Sequence, residues 1–307
     1  MFNVELFIHR MFILSIAYVA NLIFNVLGLK AISYYYEVKH VLFATILYGH
    51  LFPVLLCYFF YQQTILYRVD FLIGFLDYVQ LICVSVGISG VNVAQYLSLR
   101  NVSFLINVVF SYLLLDKTFD RYQQIGTAII GVSCGVVFYI GGMKELFYSV
   151  MIFIYSFLYS LIGTIMEMNK EKGNIIHVKC VSSFFHISTY FFYSLFNNSL
   201  YEEFKSKHSV GLFLLILFVM GSESVFYILK KLLVEKVNNG SIYTNFLDIV
   251  RRILTLVTGI FLFNESNPSY LYIFYGVMMI GCVLFYFNKE IKERLERLQP
   301  TVEPITF

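Results

Sequence analysis

Charge is scarce in this chain. Asp, Glu, Lys and Arg make up 13% of its 307 residues, about half the share found in a soluble domain. The apolar residues, 59% of the total, come in long runs, and mean hydropathy is +0.75. That excludes an ordinary soluble fold and points to a polytopic helical membrane protein. Cleavable signal peptides are missing as a pattern too. Met1–Arg10 is short and runs straight into the first apolar segment, which would serve as its own insertion signal.

Reactive chemistry is equally thin. The five cysteines, Cys57, Cys83, Cys134, Cys180 and Cys282, all sit inside apolar runs and read as small packing residues. The histidines are scattered, with no pair at helical spacing and no metal-ligand pattern. No nucleophile triad and no phosphate-cradling glycine loop is present. An enzyme is not expected, nor a metal, a cofactor or a nucleic-acid partner. The 58 tyrosines and phenylalanines are too many for one binding site, and suit a lipid-facing surface and aromatic belts.

What is present is ten candidate spans, at roughly 11–29, 40–61, 71–96, 98–115, 122–141, 146–167, 178–197, 210–229, 241–263 and 270–288. A tight turn near Ser98–Asn101 is expected to separate the third from the fourth, since one helix from Phe71 to Leu115 would overshoot a bilayer. With the N-terminus inside, fourteen of the 22 lysines and arginines fall on the cytosolic side and six on the other. In that count Lys179 and Lys230 are cytosolic and Arg100 is opposite. Both termini are then cytosolic, and 291–307 reads as a charged cytosolic tail.

The ninth span carries the chemistry. At 100° per residue, Ser241, Thr244, Asn245, Asp248, Arg251, Arg252 and Thr255 share an arc of about 120°. Everything else around that helix is apolar. Each arginine at bilayer depth costs about 2.5–3.5 kcal/mol, so the stripe is expected to face a water-filled cavity inside a bundle. A guanidinium pair there suits an anion, above all phosphate, because its fork meets two oxygens at once. The plainer alternative is structural: Asp248 stands i, i+3 from Arg251 and i, i+4 from Arg252. One carboxylate cannot neutralise both.

Other polar residues are candidates at lower weight. Glu223, Tyr227 and Lys230 share a face of the eighth span. Glu223 could balance an arginine and Tyr227 could stack on a base, or the set is an ion pair with a snorkelling lysine. Arg100 and Asn101 lie beside the expected turn, Arg100 either as a helix-end residue or as a counterpart of the arginine pair. Asp77 stands alone in the third span and could partner a cavity arginine. Asn21 and Asn25 suit hydrogen bonds between helices. Asn197-Asn-Ser199 is a glycosylation triplet hugging a span end.

An internal repeat is visible. Tyr112-Leu-Leu-Leu-Asp116 with Gly126 and Gly131 resembles Phe261-Leu-Phe-Asn-Glu265 with Gly276 and Gly281, at an offset of 150 residues. Five spans per half would insert the second half upside down, as in transporters with inverted repeats. These same residues resemble the drug/metabolite transporter superfamily. Arg251-Arg252-Ile-Leu-Thr255 is similar to the Thr-Thr-Arg-Lys-x-x-Thr of nucleotide-sugar transporters of the UDP-N-acetylglucosamine type, with Ile249 and Val250 replacing the threonine pair.

The resemblance implies an all-α fold of ten helices in two inverted five-helix repeats around a central cavity, 1–145 and 146–290. It also implies exchange of a cytosolic nucleotide sugar for a lumenal nucleoside monophosphate across the Golgi or endoplasmic reticulum membrane. The plasma membrane stays open as a location, as does a homodimer. Two other readings remain: an exporter of amino acids or cationic drugs, using Glu223 and Asp77, and a membrane protein that transports nothing.

Overall fold

A computed structural model describes residues 12–24, 27–28, 68–88, 93–141, 146–169, 175–196, 210–237, 240–263 and 269–287. Among them the secondary structure is helical, with no strand. The helices are α1 (Phe12–Phe24), α2 (Arg68–Ile88), α3 (Val93–Leu114), α4 (Arg121–Gly141), α5 (Leu146–Met168), α6 (Ile175–Phe196), α7 (Val210–Lys236), α8 (Gly240–Phe263) and α9 (Ser269–Tyr286). The expected segments from 71–96 onward fall on α2–α9, and α1 lies within 11–29. Segment 40–61, the tail, Cys57, Asn25 and the glycosylation triplet lie outside the described residues.

One boundary differs. Ser98–Asn101 is not a turn but an interior stretch of α3, since α2 ends at Ile88 and α3 begins at Val93. Their polarity belongs to a buried face: Ser98, Arg100 and Asn101 are all buried, and Ser98 Oγ donates to the Cys134 carbonyl at 2.5 Å.

The bundle is inside-out in polarity. Its exterior exposes Tyr139, Val210, Val132, Ile273, Leu146 and Phe184, while Asp70, Asp77, Asp248, Lys179, Lys230, Arg251 and Arg252 are buried. An apolar exterior of that extent suits acyl chains rather than water. Among the described residues three helices, over Arg121–Ile140, Leu146–Met168 and Ser269–Tyr286, are long and apolar enough to cross a membrane. The longest of the others, α7 and α8, bury Lys230 and Asp248, Arg251 and Arg252 respectively.

Polar side chains also fix how helices pair. Ser156 Oγ donates to the Leu99 carbonyl at 2.8 Å and Ser160 Oγ to the Ser103 carbonyl at 2.6 Å. Thr164 Oγ1 lies 3.1 Å from Asn107 Oδ1. The steps of four residues on each side make α3 and α5 parallel and in register. The glycines of the repeat do another job. A methyl on Gly281 would stand 2.8 Å from the Gly126 carbonyl oxygen, so α4 and α9 touch backbone to backbone there. The offset would pair Gly131 with Gly276 in the same way, but no described atom lies within 4 Å of a methyl built on Gly276.

Candidate functional site around Asp248

The loop from α3 to α4 starts the construction. Asp116 takes φ 49°, a left-handed turn that Asp tolerates better than most residues. Asp120 Oδ1 then accepts from the Gln123 N–H at 2.9 Å, and Gln123 Oε1 accepts from the Asp120 N–H at 3.1 Å. That reciprocal pair caps α4. Between these two anchors, Lys117 Nζ reaches Glu167 Oε1 at 2.6 Å, at the end of α5.

Glu167 holds the start of α8. Its Oε2 accepts from the Ser241 N–H at 3.2 Å and from the Ser241 hydroxyl. A carboxylate on an otherwise orphaned first-turn N–H stabilises a helix N-terminus. Gly240 lets the chain enter α8 flush against α7, since a methyl there would stand 2.5 Å from the Val234 backbone. From that start α8 runs between α3, α5, α7 and α9.

The polar stripe of α8 faces inward, as its periodicity requires. Ser241, Thr244, Asn245, Asp248, Arg251 and Arg252 are all buried. Thr244 Oγ1 and Asn245 Nδ2 donate to the Ser241 carbonyl at 2.9 and 3.0 Å. Asn245 Oδ1 accepts from Ser103 of α3 at 3.0 Å. These hydroxyl and amide contacts hold the first half of the stripe.

Three guanidinium groups converge on one carboxylate. Arg251 Nε lies 2.8 Å from Asp248 Oδ1, at ion-pair distance but out of hydrogen-bond alignment. Arg252 Nη2 donates to Asp248 Oδ2, and Arg100 Nη2 comes from α3 to 3.6 Å of the same oxygen. Arg252 also donates through Nη1 to Asn101 Oδ1. Asn101 in turn offers Nδ2 to the Tyr275 hydroxyl at 3.3 Å and to Met278 Sδ at 3.4 Å.

Two tyrosines of α5 carry further positive charge. The Arg100 guanidinium sits 4.1 Å from the Tyr155 ring centre and 4.9 Å from that of Tyr159. Lys230 of α7 stands 4.0 Å from the Tyr159 ring. Such cation–π contacts stabilise a cation by about 0.5–2 kcal/mol but leave its charge in place. Around Asp248, one carboxylate therefore meets three arginines, with a fourth cation one ring away.

Donors remain over. Among the described residues, Arg100 Nε and Nη1, Arg252 Nε and the Thr255 hydroxyl are buried without a hydrogen-bond partner. A buried charged donor left unmet costs more than the 1–3 kcal/mol of a neutral one. Among the described residues the centre thus has surplus positive charge and unused N–H groups in the same place.

Several sequence expectations need correction. Arg100 is not a helix-end residue at the far interface but a buried member of this cluster. Lys179 and Lys230 do not belong to cytosolic segments, being 4% and 3% exposed inside the bundle. Arg251 and Arg252 are buried, at 7% and 3% exposure. Asp77 partners a lysine, not an arginine: Lys179 Nζ lies 2.9 Å from Asp77 Oδ2. Asn21 does bond between helices, its Oδ1 lying 3.0 Å from Ser222 Oγ of α7. Glu223 and Tyr227 lie on α7, with side chains outside the described residues.

The Lys179 contact was missed because its partner is 102 positions away. A signal did exist: Lys179, Ser182, Ser183 and His186 fall at i, i+3, i+4 and i+7, one face of α6. Compared with known proteins, the chain matches no family model and no curated sequence.

Proposed function

We propose that the chain is a multi-pass membrane transporter for a phosphate-bearing metabolite, exchanging a nucleotide sugar, of the UDP type, for a nucleoside monophosphate. The observation that carries the reading is the convergence of Arg100, Arg251 and Arg252 on Asp248, the one carboxylate that meets them among the described residues. A diphosphate supplies the negative charge that this centre lacks, and oxygens for the unused N–H groups of Arg100 and Arg252. In this reading Asp248 is the resident anion that keeps the arginines together in a closed, empty state, and substrate takes over part of its role. Tyr155 and Tyr159 offer rings for a base next to the phosphates.

The proposed architecture is ten spans in two inverted halves, with both termini cytosolic in a Golgi or endoplasmic reticulum membrane. Support comes from the crossing of α3 and α8. The offset of 150 carries Arg100 to Val250, one residue from Arg251, and these corresponding stretches are the ones that meet at Asp248. Residues so related face each other when a two-fold axis passes between two helices. The cationic-solute reading has less support, because Asp77 is engaged by Lys179 and Ser182.

Purified protein in liposomes tests the proposal directly. It is expected to exchange labelled UDP-N-acetylglucosamine for internal UMP, and Arg251→Ala and Arg252→Ala are each expected to lose that exchange. Wild-type rates in both variants would remove the arginine centre from the mechanism.

A further inference from the structure

The arginine centre has a fourth cation beside it. Lys230 shares the inner face of α7 with Phe226, four residues before it, and Leu233, three after. Phe226 packs on Tyr18 of α1 with 5.3 Å between ring centres, and Leu233 belongs to the same apolar cluster. These contacts turn the lysine stem inward, and the residue is only 3% exposed. It does not snorkel to a helix end. Its Nζ stands 4.0 Å from the Tyr159 ring centre, the ring that the Arg100 guanidinium meets at 4.9 Å.

We propose that Lys230 receives a second negative group of the transported solute, a carboxylate separate from its phosphates, so that the substrate class is nucleotide sugars whose sugar is itself an acid. The inference rests on the transport reading and narrows it.

Among the described residues no carboxylate lies within ion-pair distance of Lys230 Nζ. Other buried acids among them are engaged elsewhere: Asp77 with Lys179 and Asp70 with His177 between α2 and α6, and Glu167 with Lys117 and Ser241. A buried ammonium group without an anion is costly. A methionine would fill the place between Phe226 and Leu233 at lower cost, so packing alone gives no reason for a lysine here.

Charge counting points to the class of ligand. Arg100, Arg251, Arg252 and Lys230 against Asp248 leave a surplus of three positive charges among the described residues. A diphosphate esterified at both ends, as in a nucleotide sugar, carries one negative charge on each phosphate and leaves one cation over. A carboxylate supplies that single charge, whereas a further phosphate monoester brings nearly two. The chemistry of the cations agrees. Guanidinium forks match phosphate oxygens, and a lysine is a compact point charge that one carboxylate satisfies. Position agrees as well. Tyr155 and Tyr159 are one turn apart on α5, and Lys230 stands on Tyr159, the ring nearer Glu167. It is thus displaced from Arg100, which lies closest to Tyr155, and its anion sits beyond the diphosphate rather than on it.

Equilibrium binding to the purified full-length protein tests this with two probes, UDP-glucose and UDP-glucuronic acid, which differ only in a hydroxymethyl or a carboxylate on the sugar. Wild type is expected to bind UDP-glucuronic acid about tenfold to hundredfold more tightly, the worth of one charge-assisted hydrogen bond. Lys230→Met is expected to bring that ratio near one, and Lys230→Arg to keep most of it. Arg252→Ala removes a diphosphate contact, so it weakens both ligands and leaves the ratio in place. A wild-type ratio near or below one overturns the proposal without any variant, and so does a ratio that Lys230→Met leaves unchanged. In either case UDP-glucose binding keeps the transport reading standing. A protein that binds neither nucleotide loses both.

Discussion

The two buried charge systems differ in what their positive members can do. At Asp248 the partners are arginines, which keep their charge at any pH a protein meets. At Asp77 and Asp70 the partners are a lysine and a histidine, which can give it up. The first system is also overloaded, with three guanidinium groups to one carboxylate among the described residues. In the second, each ion pair seen among the described residues joins one acid to one base. The two helix interfaces, α3–α8 and α2–α6, thus hold their buried charges in different ways.

The largest expected effect comes from removing Asp248. Asp248→Asn leaves three buried guanidinium groups facing one another and should cost about 3–5 kcal/mol of stability. Thermal unfolding in detergent measures it, and added UDP should restore part of the loss by supplying the missing charge. A variant as stable as wild type would mean that the arginines are not confined together.

The next experiment asks whether balance is what matters. Asp77→Asn alone leaves Lys179 buried without its counter-charge and should cost about 3 kcal/mol. Replacing both partners, Asp77→Leu with Lys179→Met, should recover most of that, because a buried pair exchanged for apolar residues is often neutral or better. The matching double change at the other site, Asp248→Leu with Arg252→Met, should not recover, since Arg100 and Arg251 stay uncompensated. Equal recovery at both sites would erase the distinction between them.

How much of this was legible in the sequence follows from the same contrast. The stripe on α8 stood out because seven polar residues shared one arc against an apolar background, and all but Thr255 are buried. Asp116 and Gly126, picked out by the repeat, fall on the left-handed turn before α4 and on the close contact of α4 with α9. What failed was the rule that polarity means water. Ser98, Arg100 and Asn101 read as a turn, and Lys179 and Lys230 as cytosolic anchors, because each was judged without its partner. Those partners are 36 to 177 positions away where hydrogen bonds define them, as for Ser98 with Cys134 and Asn101 with Met278. A single sequence carries no record of such pairings.

A smaller effect sharpens the charge argument at Asp248. Removing one of several cations there should leave stability unchanged or higher, since it relieves repulsion. Binding should suffer instead. Arg252→Ala loses charge-assisted hydrogen bonds worth about 1.5–3 kcal/mol to a phosphate, a tenfold to hundredfold weaker affinity. Ligand-induced shifts in melting temperature separate the two quantities. A fall in stability without a fall in affinity would turn the arginines back into structural ties.

The smallest effect is expected at the third ion pair, Lys117 with Glu167. It is balanced like Asp77 and Lys179, but the Lys117 side chain is 22% exposed. Water replaces part of what the lysine supplies, and pairs that reach solvent contribute at most about 1 kcal/mol. Glu167 keeps the Ser241 N–H and hydroxyl when Lys117 is removed, so the α8 cap survives. Lys117→Ala should therefore lower stability by less than either buried-acid variant and leave nucleotide affinity alone. A cost comparable to Asp77→Asn would show that matching and exposure do not set the cost of these pairs, and that the link from the α3–α4 loop to α8 is the real source of rigidity around Asp248.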